Sequence, residues 1–439
     1  MATGETKKNY RDNAKKYSSK DLEYSINYAG KAEEKDILLK TEKSLISNVW
    51  SGKHSEIEEL GALYLGENLS TLASLVKQDR YRGKVKLIYI DPPFATNKFF
   101  VSRDRKDAYS DLLVGSHYIE FIRERLIFLK QLLSEDGSIY LHLDDNMAFE
   151  IKLIMDEVFG RKNFRNIIVR KKSNPKNYTR KQFGNVADYI MFYSKSDKYT
   201  WNRPYNSWLP EEADREYPYI EKESGRRYKR VPIHAPGVRN GDTGKEWKGM
   251  KPPAGKHWQY KRSTLDELDE KGEIYWSSTG NPRRKIYLDT NLGIPVQDIW
   301  LDVKDPHNQN IKITGYPTEK NPKLLERIIE ASSKPGDLVL DCFAGSGTTL
   351  GVASKLKRRW VGIDNSLEAL NATLTRFIHG LQPMGSFSPD PKAEQSEMFE
   401  DLEAEQLLST VKIYASEEIK NDRYFMGQLN RLNKFGNTL

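Results

Sequence analysis

Two stretches of this 439-residue chain carry residue types that could do chemistry. The first, Leu87-Ile88-Tyr89-Ile90-Asp91-Pro92-Pro93-Phe94, is an apolar, β-branched run that ends abruptly in a carboxylate, two prolines and an aromatic ring. Proline cannot extend a hydrogen-bond ladder, so the run reads as a strand buried on both faces and stopped at its carboxyl end. In open α/β sheets ligands bind in the crevice at those ends, which puts Asp91 and Phe94 at a binding edge. Taken alone, Asp-Pro-Pro is more simply a rigid turn. The second stretch changes that balance. Asp341-Cys342-Phe343-Ala344-Gly345-Ser346-Gly347-Thr348-Thr349 follows an apolar run, and Asp364 closes the next one. A glycine-rich turn between strand and helix lets backbone approach a ligand closely, and an acid roughly twenty residues later can accept hydrogen bonds from ribose hydroxyls. A phosphate-cradling loop would need Lys before its Ser/Thr, whereas Gly347 runs straight into Thr348. A nucleoside cofactor without a demanding phosphate fits better.

Both motifs need a scaffold of alternating strands and helices, and the flanking sequence carries those signals. A strand at 63–65, a turn at 66–68 and a helix at 69–76 precede the first motif. After it come a polar stretch, 95–116, read as a loop over the site, and a helix at 117–133 with Ile119, Ile122, Leu126, Leu129 and Leu133 at helical spacing. Asp136-Gly137 ends that helix, and 138–143 forms the next strand. Asp144-Asp145-Asn146 then opens a helix with Phe149, Ile151, Ile154, Met155 and Val158 inward; those acids read as a helix cap, since no further metal-ligand pattern accompanies them. Strands follow at 166–169 and 189–193. Past Thr318 the rhythm resumes with a helix at 324–331 and strands at 338–341 and 359–364.

Between them the texture changes. Trp201, Tyr205, Trp208, Arg226-Arg227-Tyr228-Lys229-Arg230, Trp247, Trp258, Tyr275-Trp276 and Arg283-Arg284-Lys285 interleave cations with rings. Such a segment suits nucleic acid, the cations meeting phosphates and the rings stacking or wedging, and equally suits a small core in which the tryptophans are buried. The expected division is a charged N-terminal arm at 1–50, a catalytic half at 51–199, an inserted domain at 200–300, a cofactor half at 301–382 and a polar tail at 383–439. In that tail Gln395-Ser396-Glu397-Met398-Phe399 loosely matches a clamp-binding peptide, a pattern that arises often by chance.

Lys and Arg number 70 against 62 Asp and Glu, a net charge of +8 with a pI near 9.0, compatible with a polyanionic partner. The single cysteine, Cys342, excludes an intrachain disulfide framework and a cysteine-based metal cluster and points to a reducing, cytosolic setting. The amino terminus has no apolar segment of a secretory signal, and no run of about 18 apolar residues exists to span a membrane.

The order of the two motifs, Asp91 to Phe94 first and Asp341 to Thr349 far downstream, resembles the β-class of S-adenosylmethionine-dependent DNA amino-methyltransferases. Within that class the chain is similar to the adenine-specific members related to type III modification subunits. The similarity extends through Gly66-Glu67-Asn68-Leu69, Ser138 to Asp145, Val158-Phe159-Gly160, His257 to Leu268, Tyr287-Leu288-Asp289, Asp298-Ile299-Trp300 and Gly315 to Lys320. It departs at Phe94, where Tyr is usual, at Glu67, where Asp is usual, and at Asp364, where Glu is common.

The resemblance implies an α/β fold with a doubly wound, mostly parallel Rossmann-like methyltransferase sheet and an inserted target-recognition domain. It implies S-adenosylmethionine as cofactor, held by Asp341, Phe343, Gly345, Gly347, Thr348 and Asp364, with Lys320 and Glu67 as further contacts, and no metal. It assigns catalysis to Asp91, Pro92, Pro93 and Phe94. The Asp91 carboxylate and the Pro92 carbonyl, whose residue has no N–H, would each accept one N–H of an adenine N6 amine, while Phe94 stacks on the flipped base. Cys342 reads as a packed small hydrophobe, not a nucleophile. The implied partner is double-stranded DNA, with a homodimer and a restriction subunit left open, in the nucleoid-associated cytoplasm of a prokaryote. Methylation of the N4 amine of cytosine is the nearest alternative. A non-catalytic specificity subunit and protein-glutamine methylation fit the motifs and the basic insert less well.

Overall fold

Strand signals in this chain come as short apolar runs, and ten of the eighteen strands among the described residues enter one sheet. The computed structural model describes residues 26–55, 59–93, 115–174, 181–305, 320–379, 408–423, 425–427 and 429. Two compact units emerge, Arg203–Val296 and the chain on either side of it. The larger unit holds β1 (Ile46–Ser51), β2 (Gly61–Leu65), β3 (Val85–Ile90), β4 (Leu133–Leu143), β5 (Phe164–Lys171) and β6 (Ala187–Ser194). The smaller holds β7 (Tyr205–Asn206), β8 (Tyr219–Ile220), β9 (Arg227–Pro232), β10 (His234–Pro236), β11 (Lys256–Trp258), β12 (Ile274–Trp276), β13 (Pro282–Tyr287) and β14 (Ile294–Pro295). The chain then returns with β15 (Ile299–Trp300), β16 (Leu338–Asp341), β17 (Arg359–Asp364) and β18 (Val411–Ser416).

In the larger unit ten strands form one sheet in the order β1-β18-β2-β17-β16-β3-β4-β6-β5-β15. From β18 to β4 every neighbour is parallel, so six carboxyl ends share one edge. β6 runs against both β4 and β5, and β1 runs against β18. Both faces are covered, which is why the central strands β2, β3 and β16 are largely apolar. Ile88, Ile90, Ile139 and Leu141 share a core with helices Asn68–Leu75, Ser116–Leu132 and Ala148–Phe159. On the opposite face the Tyr140 hydroxyl lies 2.8 Å from Ser332 Oγ of helix Pro322–Ser332, and Trp360 donates to Ser354 Oγ of helix Thr348–Lys355 at 2.7 Å. The sheet is doubly wound and mostly parallel, as the alternation of elements predicts.

Four expectations need correction. The polar tail contains β18, which sits inside the sheet because Val411, Ile413 and Ala415 alternate with Lys412 and Tyr414 and bury one face. The charged arm expected at 1–50 is not set apart from the sheet: β1 pairs with β18, helix Glu34–Lys40 buries Ile37, and Ala32 N donates to Glu120 at 3.0 Å. Phe149 is 56% exposed, on the outer face of a helix whose Ile151, Ile154, Met155 and Val158 are buried. Asp144 does not cap that helix. It accepts from Asn146 N at 3.1 Å and Asn146 Nδ2 at 2.5 Å, a local turn, while Met147 occupies the cap position. The polar stretch at 95–116 lies almost wholly outside the described residues, and the clamp-like peptide at 395–399 entirely so.

The smaller unit has a four-stranded antiparallel sheet, β12-β13-β9-β8, and the pairs β10-β11 and β14-β7. Ile233, Trp247, Trp258, Leu265, Leu268 and Ile274 make its core. Two tryptophans are therefore structural, whereas Trp276 remains 36% exposed. No helix among the described residues is long and apolar enough to cross a membrane.

Candidate active site

Parallel strands deliver their carboxyl ends to one edge, and here an acid stands at or just beyond all six: Glu417, Glu67, Asp364, Asp341, Asp91 and Asp144. Glu67 is the N-cap of helix Asn68–Leu75, accepting from Ser70 N at 2.8 Å and from Arg125 at 2.6 Å. Asn68 ties this helix to the second motif by donating to the Cys342 carbonyl at 2.9 Å.

The second motif is a turn held by its own carboxylates. Asp341 accepts from Phe343 N at 3.0 Å and from Thr349 Oγ1 at 2.6 Å. Asp364 accepts from Gly345 N at 2.8 Å and from Ser366 N at 3.0 Å. Burial, augmented by the charges of Asp91 and Asp364, pushes the Asp341 carboxyl up to about 7 against those hydrogen bonds. Gly347 takes φ +71° at the start of helix Thr348–Lys355, and a Cβ there would come within 2.5 Å of Thr373 Oγ1. Only glycine meets both demands. Thr348 is buried against Ser346, whereas the Phe343 ring stays half-buried, 6.1 Å from that of Phe121. Cys342 is fully buried, and burial followed by Asp341 raises its thiol well above the ordinary value, as suits a packed hydrophobe.

At the first motif the two oxygens of Asp91 differ. Lys320 Nζ lies 2.9 Å from Oδ2, and although burial opposes it, Asp91 holds the Lys320 ammonium above its ordinary value. Oδ1 is enclosed and has no hydrogen-bond partner among the described residues. A buried acceptor without a donor costs roughly 1–3 kcal/mol, so its presence asks for a ligand. Pro92 and Pro93 follow directly; Phe94 lies outside the described residues. No group of three or more His, Cys, Asp or Glu suited to a metal occurs among the described residues.

The sequence over residues 85–375, from β3 through both motifs into the last helix of this half, matches the DNA methylase family of N6/N4 methyltransferases. The chain belongs to that family. M.EcaI, a type II methyltransferase of Enterobacter cloacae, is 46% identical over 375 residues, spanning 85% of this chain and 82% of its own. The StyLTI Mod subunit, from a type III restriction-modification enzyme of Salmonella typhimurium, is 27% identical over 369 residues, 74% of this chain and 55% of its own. Among solved structures, the cytosine-N4-specific PvuII DNA methyltransferase superposes with a TM-score of 0.40 at 16% identity, covering 74% of this chain and 89% of its own.

Several residues around Asp91 of this methylase escape a reading of motifs. His142 on β4, Asp188 on β6 and Arg170 on β5 are all buried and form a polar row behind it. Arg170 pairs with Asp188 at 3.5 Å and with Asp305, and Lys172 reaches Asp188 at 2.9 Å. Against burial, His142 and Lys172 hold Asp188 well below the usual carboxylate range. The available signal was a lone histidine between Leu141 and Leu143 in an apolar strand. Lys320, expected as a cofactor contact, pairs with Asp91.

Proposed function

We propose that this methylase transfers a methyl group from S-adenosylmethionine to the N6 amine of an adenine flipped out of duplex DNA. The observation that carries the reading is Oδ1 of Asp91, an enclosed acceptor without a donor at a strand end beside Pro92. An exocyclic amine is a poor nucleophile because its lone pair is delocalised into the ring. Oδ1 of Asp91 and the Pro92 carbonyl can each accept one amine N–H, which holds the nitrogen pyramidal with its lone pair out of the ring plane. Rate enhancement then comes from positioning and from carboxylate stabilisation of charge developing on nitrogen. Inside a duplex that amine is inaccessible, so the base must be extruded, and Phe94 is assigned to stack on it.

The donor set of the second motif suits a nucleoside carrying a cationic sulfonium. Each oxygen of Asp364 and Asp341 keeps acceptor capacity beyond its one hydrogen bond beside the Gly345 to Thr348 turn, where glycine at 347 lets backbone come close. When bound, S-adenosylmethionine supplies an electrophilic methyl group. Asp364 is assigned to its ribose hydroxyls; Asp341, Phe343, Gly345, Gly347 and Thr348 to the methionyl side; Glu67 shapes the neighbouring helix start. The unit Arg203–Val296 serves as the target-recognition domain, its exposed cations and rings meeting DNA. The enzyme works within a restriction-modification system, with a second copy or a nuclease subunit as assembly partners.

Cytosine offers the same amine geometry. Asp at position 91, where many cytosine enzymes of this class carry Ser, favours adenine. Duplex DNA incubated with labelled cofactor and digested to nucleosides should yield N6-methyladenine; N4-methylcytosine as the sole product would overturn the choice of base.

A further inference from the structure

We infer that His142 is a positioning residue whose fixed tautomer keeps Oδ1 of Asp91 open for the substrate amine, an inference that rests on the role proposed above for Asp91. Strand register lines up the groups involved. Ile90 pairs with Leu141, so Asp91 stands beside His142; Ile190 faces His142 from β6, and Asp188, two residues before it, faces Arg170 of β5.

His142 is fully buried between carboxylates on either side. Its Nε2 lies 3.2 Å from Asp188 Oδ2. Asp188 is kept ionised by Lys172 and Arg170, and an ionised carboxylate can only accept, so the proton sits on Nε2. Burial, then the charge of Lys320, favours the neutral imidazole, which has one N–H and has now spent it. Nδ1 therefore presents a lone pair, and Tyr89, kept protonated by burial and by Asp91, donates to it at 2.8 Å. Nδ1 stands 3.9 Å from Asp91 Oδ1 and, in this tautomer, has no hydrogen to offer it.

Oδ1 is thus left without a donor beside an imidazole nitrogen whose one lone pair is taken by Tyr89. With Lys320 occupying Oδ2, His142 Nδ1 is a neighbouring group that could fill Oδ1 if protonated, and the tautomer set by Asp188 prevents it. A proton on Nδ1 would make that atom a donor competing with the amine N–H. The charged and titratable groups around the imidazole are Tyr89 and Asp91 on β3, Asp188 on β6, Arg170 and Lys172 on β5, with Lys320 and Asp305 beyond.

The test uses the full chain with ¹⁵N-labelled histidine, the His142 signals being identified by their loss in His142→Gln. Near neutral pH the expected pattern is a protonated Nε2 and an unprotonated Nδ1. Asp188→Asn should abolish that preference and slow single-turnover methylation of duplex DNA at least about tenfold, short of the roughly 10⁴-fold that a wrong tautomer costs where imidazole itself is the base. In a His142→Gln background the same Asp188→Asn change should add nothing, as a double-mutant cycle reads coupling. The acid limb of the rate should follow the nitrogen shifts of His142 and vanish in His142→Gln. A proton on Nδ1 in the parent protein, read without any variant, would overturn the inference, as would an Asp188→Asn effect of equal size with and without His142. Asp91→Ala run alongside separates the two levels: if it methylates like the parent, the role of Asp91 falls and this inference with it, whereas a dead Asp91→Ala beside an unaffected Asp188→Asn sinks the inference alone.

Discussion

Carboxylates end both halves of the sheet edge, and the two halves use them in opposite ways. Every oxygen of Asp341 and Asp364 is engaged by a backbone N–H or a hydroxyl of its own turn. Asp91 commits Oδ2 to Lys320 and leaves Oδ1 with no donor among the described residues. The first pair uses one hydrogen bond per oxygen to shape a glycine turn, so a ligand there meets a surface already formed. The other carboxylate is held half-satisfied by an ion pair and a polar row, so a ligand there completes the site. Rigidity on one side and an open acceptor on the other is an arrangement suited to holding one reactant still while a second is seized by its protons.

The largest effect that could break this contrast lies at the open acceptor. Asp91→Ala should lower methyl incorporation by about a thousandfold, roughly 4 kcal/mol in the barrier, with cofactor affinity by calorimetry nearly unchanged. A loss of less than tenfold would move the chemistry elsewhere. Next comes Lys320→Met, which strands Asp91 without its cation; breaking a buried pair should cost about 3 kcal/mol in urea unfolding and reduce the rate as well. Stability unchanged in that variant would show the pair to be incidental.

Asp341 sharpens the other half through pH. Its folded-state carboxyl is pushed up to about 7 from an ordinary 3.8, so the native state binds the proton more tightly than the unfolded chain. The stability this contributes is fully present below the ordinary value and is lost as pH rises through about 7, at up to roughly 1.4 kcal/mol per pH unit. Asp341→Asn should flatten that slope in urea titrations; a slope identical to the parent's would mean the carboxyl titrates normally. Gly347→Ala forces a side chain into φ +71° and onto Thr373, and should cost about 1–2 kcal/mol together with a measurable loss of cofactor affinity. At the bottom of the scale, Phe149→Ser on an exposed helix face should stay within about 0.5 kcal/mol in the same unfolding assay.

The two motifs were legible because each packs its chemistry into a few consecutive residues. Pro92 stops β3 wherever the strand lies, and Gly347 can turn where other residues cannot, so the strand ends and the turn follow from local rules. The expected strands at 338–341 and 359–364 are found at Leu338–Asp341 and Arg359–Asp364 for the same reason: a short apolar run with punctuation at both ends. β18 escaped because its apolar face is only Val411, Ile413 and Ala415, and a six-residue alternation within a polar segment is a faint signal. Phe149 was misjudged because helical spacing marks a face without saying which face the protein covers.

What the sequence determined by itself, then, was the existence of two strand-end motifs, their order and the doubly wound sheet that carries them. What only the tertiary structure decided was which side chains converge on Asp91. His142, Asp188, Arg170 and Lys320 come from separate segments, and strand register aligns the first three in one row, while Lys320 arrives from beyond β15 to take a single oxygen. Register is fixed by long-range packing of whole strands, which no window of consecutive residues contains.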